Sequence, residues 1–228
     1  MDQTKIWDYF QNWNEVGNTF AGARSRYEFL AHHLAPGMSV LNIGVGRGGL
    51  EAILLMKGVL VSCLDPSEKS IEYLREKFSL GNRAQVGFSQ LMPFVDNQFD
   101  AVVMSEVIEH LNDSVLFDTL TEVLRVLKSN GRFIGTVPAN EILLASQVLC
   151  PHCGKAFHRW GHIQTFSDSR LRGILAKYFE RVTLSRHYFD DINLLNWKGR
   201  ITFRMKKFMV LLGIEGSGET YYFSAVKR

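Results

Sequence analysis

The sequence predicts an α/β fold, a doubly wound and mostly parallel sheet of seven strands with helices on both faces. Three observations predict it. Short apolar runs alternate with segments of helical spacing from Val40 to Val137, the pattern of β-α-β units. The first run ends in a glycine-rich turn, Gly44-Val45-Gly46-Arg47-Gly48-Gly49, that opens a helix. The second run ends in an acid, Asp65, followed by Pro66. Glycine permits positive φ and lets backbone approach a ligand. The helix N-terminus that follows offers unpaired N–H groups and partial positive charge. Together they suit a nucleotide-like cofactor lying across the carboxyl ends of the strands.

Taken in order, residues 4–35 read as helical, with Ile6, Tyr9, Phe10 and Trp13 on one face and Phe20, Tyr27, Leu30 and Leu34 following. This segment packs against the domain body or forms an aromatic lid, and Pro36-Gly37 ends it. Val40 to Ile43 is the first strand, and Leu50 to Met56 a helix. Val59 to Leu64 is the second strand. Ser67 is an N-cap with Glu68 in the first turn, and Ile71, Leu74 and Phe78 mark the helix. Ala84 to Phe88 is a weak third strand and Phe99 to Met104 the fourth. Ser114 to Lys128 is amphipathic, and Asn130-Gly131 turns into a fifth strand, Arg132 to Val137.

Residues 139–165 break the rhythm and contain Cys150-Pro151-His152-Cys153. Ser167 to Tyr178 is helical again, Phe179 to Phe189 a strand, and Glu219 to Val226 a final strand. The chain reads as a single domain over 1–228. Within it, 1–37 is an N-terminal helical segment or lid, 139–166 an insertion after strand five, and 190–217 a variable substrate-side segment.

Composition bounds the function. Hydrophobic residues make up 46% of 228, enough for a sizeable core. A net charge of +3 is too mild to argue for nucleic acid. Three cysteines do not suggest a disulfide framework. No apolar run reaches membrane-spanning length, and Met1-Asp2-Gln3-Thr4 does not open a signal peptide, so a cytoplasmic protein without stable membrane insertion is expected.

Several pieces together are more specific than the glycines. They are Asn42-Ile43-Gly44-Val45-Gly46-Arg47-Gly48, Asp65 after strand two, and Pro93 to Asp100 leading into strand four. Glu106-Val107-Ile108-Glu109-His110-Leu111 follows that strand, and Arg125 to Lys128 with Gly131 precede strand five. The sequence thereby resembles the class I S-adenosylmethionine-dependent methyltransferases, of the type 11/23-like kind, strongly over Ser39 to Val137. The resemblance implies a Rossmann-like sheet and S-adenosylmethionine as cofactor. It implies that Asn42, Gly44, Gly46 and Gly48 carry the cofactor's methionine end, that Asp65-Pro66 holds the ribose, and that Ser89 and Gln90 edge the adenine over a floor at Ser105. Two positions depart from the family: it usually has an acid where Asn42 stands and often Asp where Phe88 stands. Gly44 to Gly49 also satisfies the G-x-G-x-x-G spacing, with Asp65 about 20 residues on, so an NAD-binding oxidoreductase is the competing reading.

Glu106, Glu109 and His110 have E-x-x-E-H spacing, which places i, i+3 and i+4 on one side of a helical turn. The block resembles that of ubiquinone-pathway O-methyltransferases and of small-RNA terminal 2′-O-methyltransferases, in which a later His completes a divalent site. Glu106, Glu109, His110 and His162 are thus candidate ligands for Mg or Mn, with His110, Glu109 and His162 the candidate catalytic groups. In a plainer arrangement the block is a metal-free cap of the strand-four loop. Cys150, Cys153, His158 and His162 have spacings that suit zinc, and the two sets compete for His162. Cations and apolar residues interleave over 198–212, which fits a lipid-linked acceptor, a membrane surface or a solvated basic face. The expected reaction is O-methylation of a small-molecule or lipid- or glycan-linked acceptor. The same residues would also fit an RNA terminal 2′-O-methyltransferase, or a catalytically inactive cofactor-binding regulatory subunit.

Overall fold

Five parallel strands supply the frame. They are β1 (Ser39–Ile43), β2 (Leu60–Asp65), β3 (Ala84–Val86), β4 (Phe99–Ser105) and β5 (Leu127–Pro138). The computed structural model describes residues 23–192, 194–214, 216 and 218–228. Beyond β5 the sheet is extended by β9 (Thr220–Val226), antiparallel to both its neighbours, and by β8 (Arg181–His187) at the edge. The order is β3-β2-β1-β4-β5-β9-β8. The chain winds outward from β1 to β3, then returns to β4 on the other side of β1. Strand order therefore reverses between β1 and β4, where a crevice opens at the carboxyl ends.

Strands buried on both faces read as unbroken apolar runs, yet their side chains still alternate. Leu41, Ile43, Val102, Met104 and Phe133 face one layer, with α4 (Asp113–Val126) and α5 (Asp168–Leu175). Val40, Val61, Cys63, Val103 and Ile134 face the other, with α1 (Arg24–His32), α2 (Gly49–Met56) and α3 (Glu68–Phe78). Truncating Phe133 or Phe223, both fully buried, would cost about 3–5 kcal/mol each. The α3 cap forms as its sequence indicates: the Ser67 side chain accepts from Ser70 N at 3.3 Å.

The structure shifts several boundaries. Strand three stops at Val86, and Phe88 makes only an isolated bridge to Leu91. The helix before strand five ends at Val126, because Leu127 already pairs with Phe99 across an irregularity in the ladder. Lys128 Nζ is drawn to Asp100 Oδ1 at 2.8 Å. Of the N-terminal helical positions, Tyr27, Leu30 and Leu34 are seen, the last two buried; Ile6, Tyr9, Phe10, Trp13 and Phe20 lie outside the described residues. Residues 139–166 contain a hairpin of β6 (Gln147–Leu149) and β7 (Ala156–His158). Residues 190–217 contain α6 (Trp197–Leu211), capped by Asn196, whose side chain accepts from Gly199 N. Among the described residues, no helix is long and apolar enough to cross a membrane.

Candidate active site

A cavity of about 910 Å³ opens at the carboxyl ends of the strands, the volume of a cofactor-sized pocket. Its wall begins with the turn after β1. Gly44, Gly46 and Gly48 take φ of +82°, +53° and +76°. Gly44 and Gly46 line the cavity, and a Cβ on Gly44 would stand 2.5 Å from Val107 Cγ2. Gly48 is held behind the wall, where a Cβ would run into Leu74 and Phe78. Asp65 lines the cavity with Pro66. Its Oδ2 accepts from Val45 N at 3.0 Å and its Oδ1 from Ser67 N at 2.8 Å, so the carboxylate ties the β1 turn to the β2 turn. Ser89 and Gln90 line the opposite wall, with Ser89 Oγ bonded to Thr119 Oγ1 at 2.8 Å. Ser105 Oγ meets Thr136 Oγ1 at 2.8 Å and accepts from Arg26 Nε at 3.1 Å.

Asn42 does not reach the cavity. Its amide donates to Glu51 Oε1 at 2.6 Å, and Glu51 is fully buried with Oε2 unpartnered. Burial pushes the Glu51 carboxyl up to about 7, more than the Asn42 bond lowers it. The folded state thus holds a proton there that the unfolded chain releases near pH 4.5. Stability is therefore expected to fall as pH rises between those values and to stay lower above them. A shift of that size corresponds to roughly 3 kcal/mol. Glu51→Gln is expected to melt higher than the parent at pH 8 by several degrees and to match it below pH 4.5; thermal unfolding at both pH values checks this.

The second wall carries a cluster of carboxylates and imidazoles. Glu106 follows β4 in a left-handed conformation, φ +58°. Ile108–His110 then forms one 3-10 turn. It aims Glu109 inward, 1% exposed, with neither carboxylate oxygen hydrogen-bonded. Facing it are His110 Nε2 at 4.0 Å and His162 Nε2 at 3.9 Å. His162 arrives because Ile163 N and Gln164 N donate to Glu109 O at 3.0 and 3.3 Å.

Tautomers follow from the partners. His110 Nδ1 lies 3.1 Å from Gly161 O and His162 Nδ1 lies 2.5 Å from Glu141 Oε2. A carbonyl and a carboxylate only accept, so each Nδ1 carries a proton and donates. Burial, then the nearby His162, pulls the His110 imidazole down to about 3. Burial, then the charge of Glu106, pushes the Glu109 carboxyl well up. The Glu109 carboxyl, with neither oxygen hydrogen-bonded, and the His110 and His162 rings thus converge within reach of one metal ion. Ligand atoms around one such ion stand about 3.0–3.5 Å apart, so the residues fit with small side-chain rotations.

His158 takes a different part. Its Nδ1 accepts from Trp160 N and His162 N at 3.3 and 3.1 Å. The proton is therefore on Nε2, which points at Glu141 Oε1 at 3.3 Å. Burial lowers the His158 pKa, as a neutral acceptor requires. His158 Nε2 makes no hydrogen bond there, whereas Glu141 pairs directly with His162. Glu141 and His158 also converge with His162 within ligand range, but a protonated Nε2 has no lone pair to give.

Not every predicted ligand assembles. Glu106 stands outside the Glu109-His110-His162 group, its Oε2 3.9 Å from Arg26 Nη1. Cys150 and Cys153 join no metal-binding group among the described residues. They lie at the tip of the β6–β7 hairpin, while His158 pairs with Gln147 at its base. Three extended residues separate tip from base by on the order of 10 Å. Backbone N–H groups of Cys153 and His152 hold the Cys150 thiol below its usual value.

Comparison with known proteins follows the geometry. Residues 41–135 match a family profile described as a methyltransferase domain. Over that stretch the chain is similar to the methyltransferase domain family. It is 31% identical over 139 residues to a demethylmenaquinone methyltransferase of Symbiobacterium thermophilum, covering 57% of the chain and 55% of that protein. It is 31% identical over 152 residues to the mitochondrial ubiquinone biosynthesis O-methyltransferase of Rattus norvegicus, covering 61% of the chain and 43% of that protein. A sterol 24-C-methyltransferase of Gibberella zeae is 36% identical over 51% of the chain and 33% of its own length. The match thus spans from a third to about half of these relatives. Among solved structures, a SAM dependent methyltransferase from Archaeoglobus fulgidus superposes with TM-score 0.64 at 20% identity, covering both chains fully. A 1,6-didemethyltoxoflavin-N1-methyltransferase of Burkholderia thailandensis, bound to S-adenosylhomocysteine, gives 0.66 at 18%, over 99% and 86%.

The spacings did not single out Arg26 or Glu141 as site residues, and both line the cavity, as does Tyr27 of the expected aromatic lid. Spacing alone could not flag Arg26, which reaches Ser105 across 79 residues of chain. Glu141 stands shortly after strand five, at a carboxyl end, and that position was the available signal.

Proposed function

We propose that this chain is a metal-assisted O-methyltransferase that moves the methyl group of S-adenosylmethionine to a hydroxyl of a small-molecule or lipid- or glycan-linked acceptor. The observation that carries the reading is Glu109, buried with neither oxygen hydrogen-bonded, facing the Nε2 atoms of His110 and His162 at 4.0 and 3.9 Å. S-adenosylmethionine would supply an electrophilic methyl on a sulfonium, and a divalent ion would polarise the acceptor hydroxyl and lower its pKa. The chain's own part is positioning. The Gly44–Gly46 turn seats the cofactor's methionine end, Asp65-Pro66 the ribose, and Ser89-Gln90 the adenine edge. Glu109, His110 and His162 hold the ion; their mix of imidazole and carboxylate suits manganese or zinc better than magnesium. Trp160 and Leu111 line the cavity together with His162. The nicotinamide reading loses its ground, because the profile matched is a methyltransferase's.

Elemental mass spectrometry on protein purified without chelator or affinity metal tests the ion, and labelled S-adenosylmethionine with vicinal-diol and amine acceptors tests the reaction. Near-stoichiometric metal with methyl found on oxygen is expected; methyl found only on nitrogen would overturn the reading. Glu141→Gln keeps the shape but loses the charge that fixes the His162 tautomer. It is expected to weaken manganese binding about 10–100-fold, as loss of such supporting groups does. Calorimetric titration of manganese checks this, and parent-like affinity would remove Glu141 from the scheme.

A further inference from the structure

The methyl-transfer reading leaves α6 unused. Its inner side is Phe203, which packs on Tyr188 with ring centroids 5.7 Å apart. At 100° per residue, Trp197, Ile201, Met205, Phe208 and Leu212 fall within about 80° of one another on the opposite side. All five are 50–68% exposed, an apolar stripe turned away from the core. Arg204 borders it on one side and Lys198 on the other; Arg200, Lys206 and Lys207 lie further round the helix, which contains no Asp or Glu.

An exposed apolar stripe signals a partner, and its charge selects which. A second copy paired through the same face would set the bordering Lys198 and Arg204 against their own copies with no acid on the helix to offset them, which is unfavourable in a self-complementary interface. An anionic lipid surface satisfies both halves: the apolar side chains enter the acyl boundary while Lys and Arg meet phosphate groups. The topology adds a reason. β8 and β5 are both antiparallel to β9, so they run in the same direction. The segment that leaves the end of β8 and carries α6 therefore emerges on the cavity's edge of the sheet. Its last residues, Gly218 to Thr220, line the cavity.

We propose that α6 is an interfacial helix that docks this protein on an anionic lipid surface, on the same edge of the sheet as the methyl-transfer cavity. The proposal stands independently of the metal reading. It is tested by co-sedimentation of the full chain with vesicles of phosphatidylcholine alone and of phosphatidylcholine with phosphatidylglycerol. Two double variants accompany it, Trp197→Ser/Phe208→Ser and Lys198→Glu/Arg204→Glu. The altered side chains are exposed, so the thermal midpoint and S-adenosylmethionine affinity should match the parent and exclude misfolding. The parent is expected to sediment with the anionic vesicles and not the neutral ones, less so at high salt. Each variant is expected to partition at least about tenfold more weakly. Three results would each overturn the proposal: no sedimentation with anionic vesicles, variants that bind as the parent does, or a dimer in light scattering that only the Trp197/Phe208 variant loses.

Discussion

Glu109→Gln protein is expected to bind divalent metal more than about 100-fold more weakly than the parent and to lose methyl transfer with it. Its affinity for S-adenosylmethionine should change by less than about twofold, because Glu109 faces His110 and His162 and not the glycine turn. The two side chains have nearly the same volume, so packing is kept. What changes is charge in a dry site. The metal-free parent carries an unpartnered carboxyl there, close to Glu106. Gln removes that penalty, so the metal-free variant should melt above the metal-free parent. With metal at 100 times its Kd the parent gains about 2.7 kcal/mol of stability, and the variant should gain none. The crossed pattern separates a ligand from a structural residue, whose replacement would lower the melting temperature in both conditions. Thermal unfolding with chelator and with manganese reads it directly. A variant that keeps the manganese-induced rise would remove Glu109 from the site.

Gly44→Ala is expected to weaken S-adenosylmethionine binding by at least tenfold. A φ of +82° costs a residue with a Cβ about 1–2 kcal/mol. The new methyl would also stand 2.5 Å from Val107 Cγ2, well inside the separation of about 3.5–4.0 Å at which carbon atoms attract. Either the cofactor turn or Val107 must give way. Val107 sits between Glu106 and Ile108, so its displacement reaches the Glu109 turn, and a tenfold loss needs only about 1.4 kcal/mol. Gly37→Ala is the control. Its φ is +80°, but a Cβ there meets nothing within 4 Å. That variant should lose some thermal stability and bind the cofactor as the parent does. Calorimetry on both separates backbone strain from the close approach; equal cofactor affinity in Gly44→Ala and parent would mean that the turn does not seat the cofactor.

Much of the fold was legible because local rules and tertiary demands agree. The runs at Val40, Val61 and Val102 are apolar on both faces, and a strand covered on both faces must be so. Ser67 before Glu68 reads as a cap because the side chain needs only its own helix to bond. Strand three was overdrawn because its pairing with strand two ends where Gly87 N donates to Asp65 O and Phe88 turns to bridge Leu91, and the helix before strand five because Leu127 is claimed by Phe99 across the sheet. The mixed segment after residue 190 hid a helix whose apolar residues face outward as well as inward, so the usual one-sided stripe was absent.

By itself the sequence determined the strand order's raw material, the glycine turn, the acid after strand two and the placing of Glu109 beside His110, because each rests on neighbours a few residues apart. Only the tertiary structure decided which histidine completes the group. Cys150, Cys153, His158 and His162 look equivalent as spacings, yet an extended hairpin holds the thiols at its tip, and backbone N–H groups occupy the His158 Nδ1. The Glu109 carbonyl draws in the chain after His162 across more than fifty residues. Long-range hydrogen bonds and burial set tautomers and pair partners, and neither has a signature in local spacing.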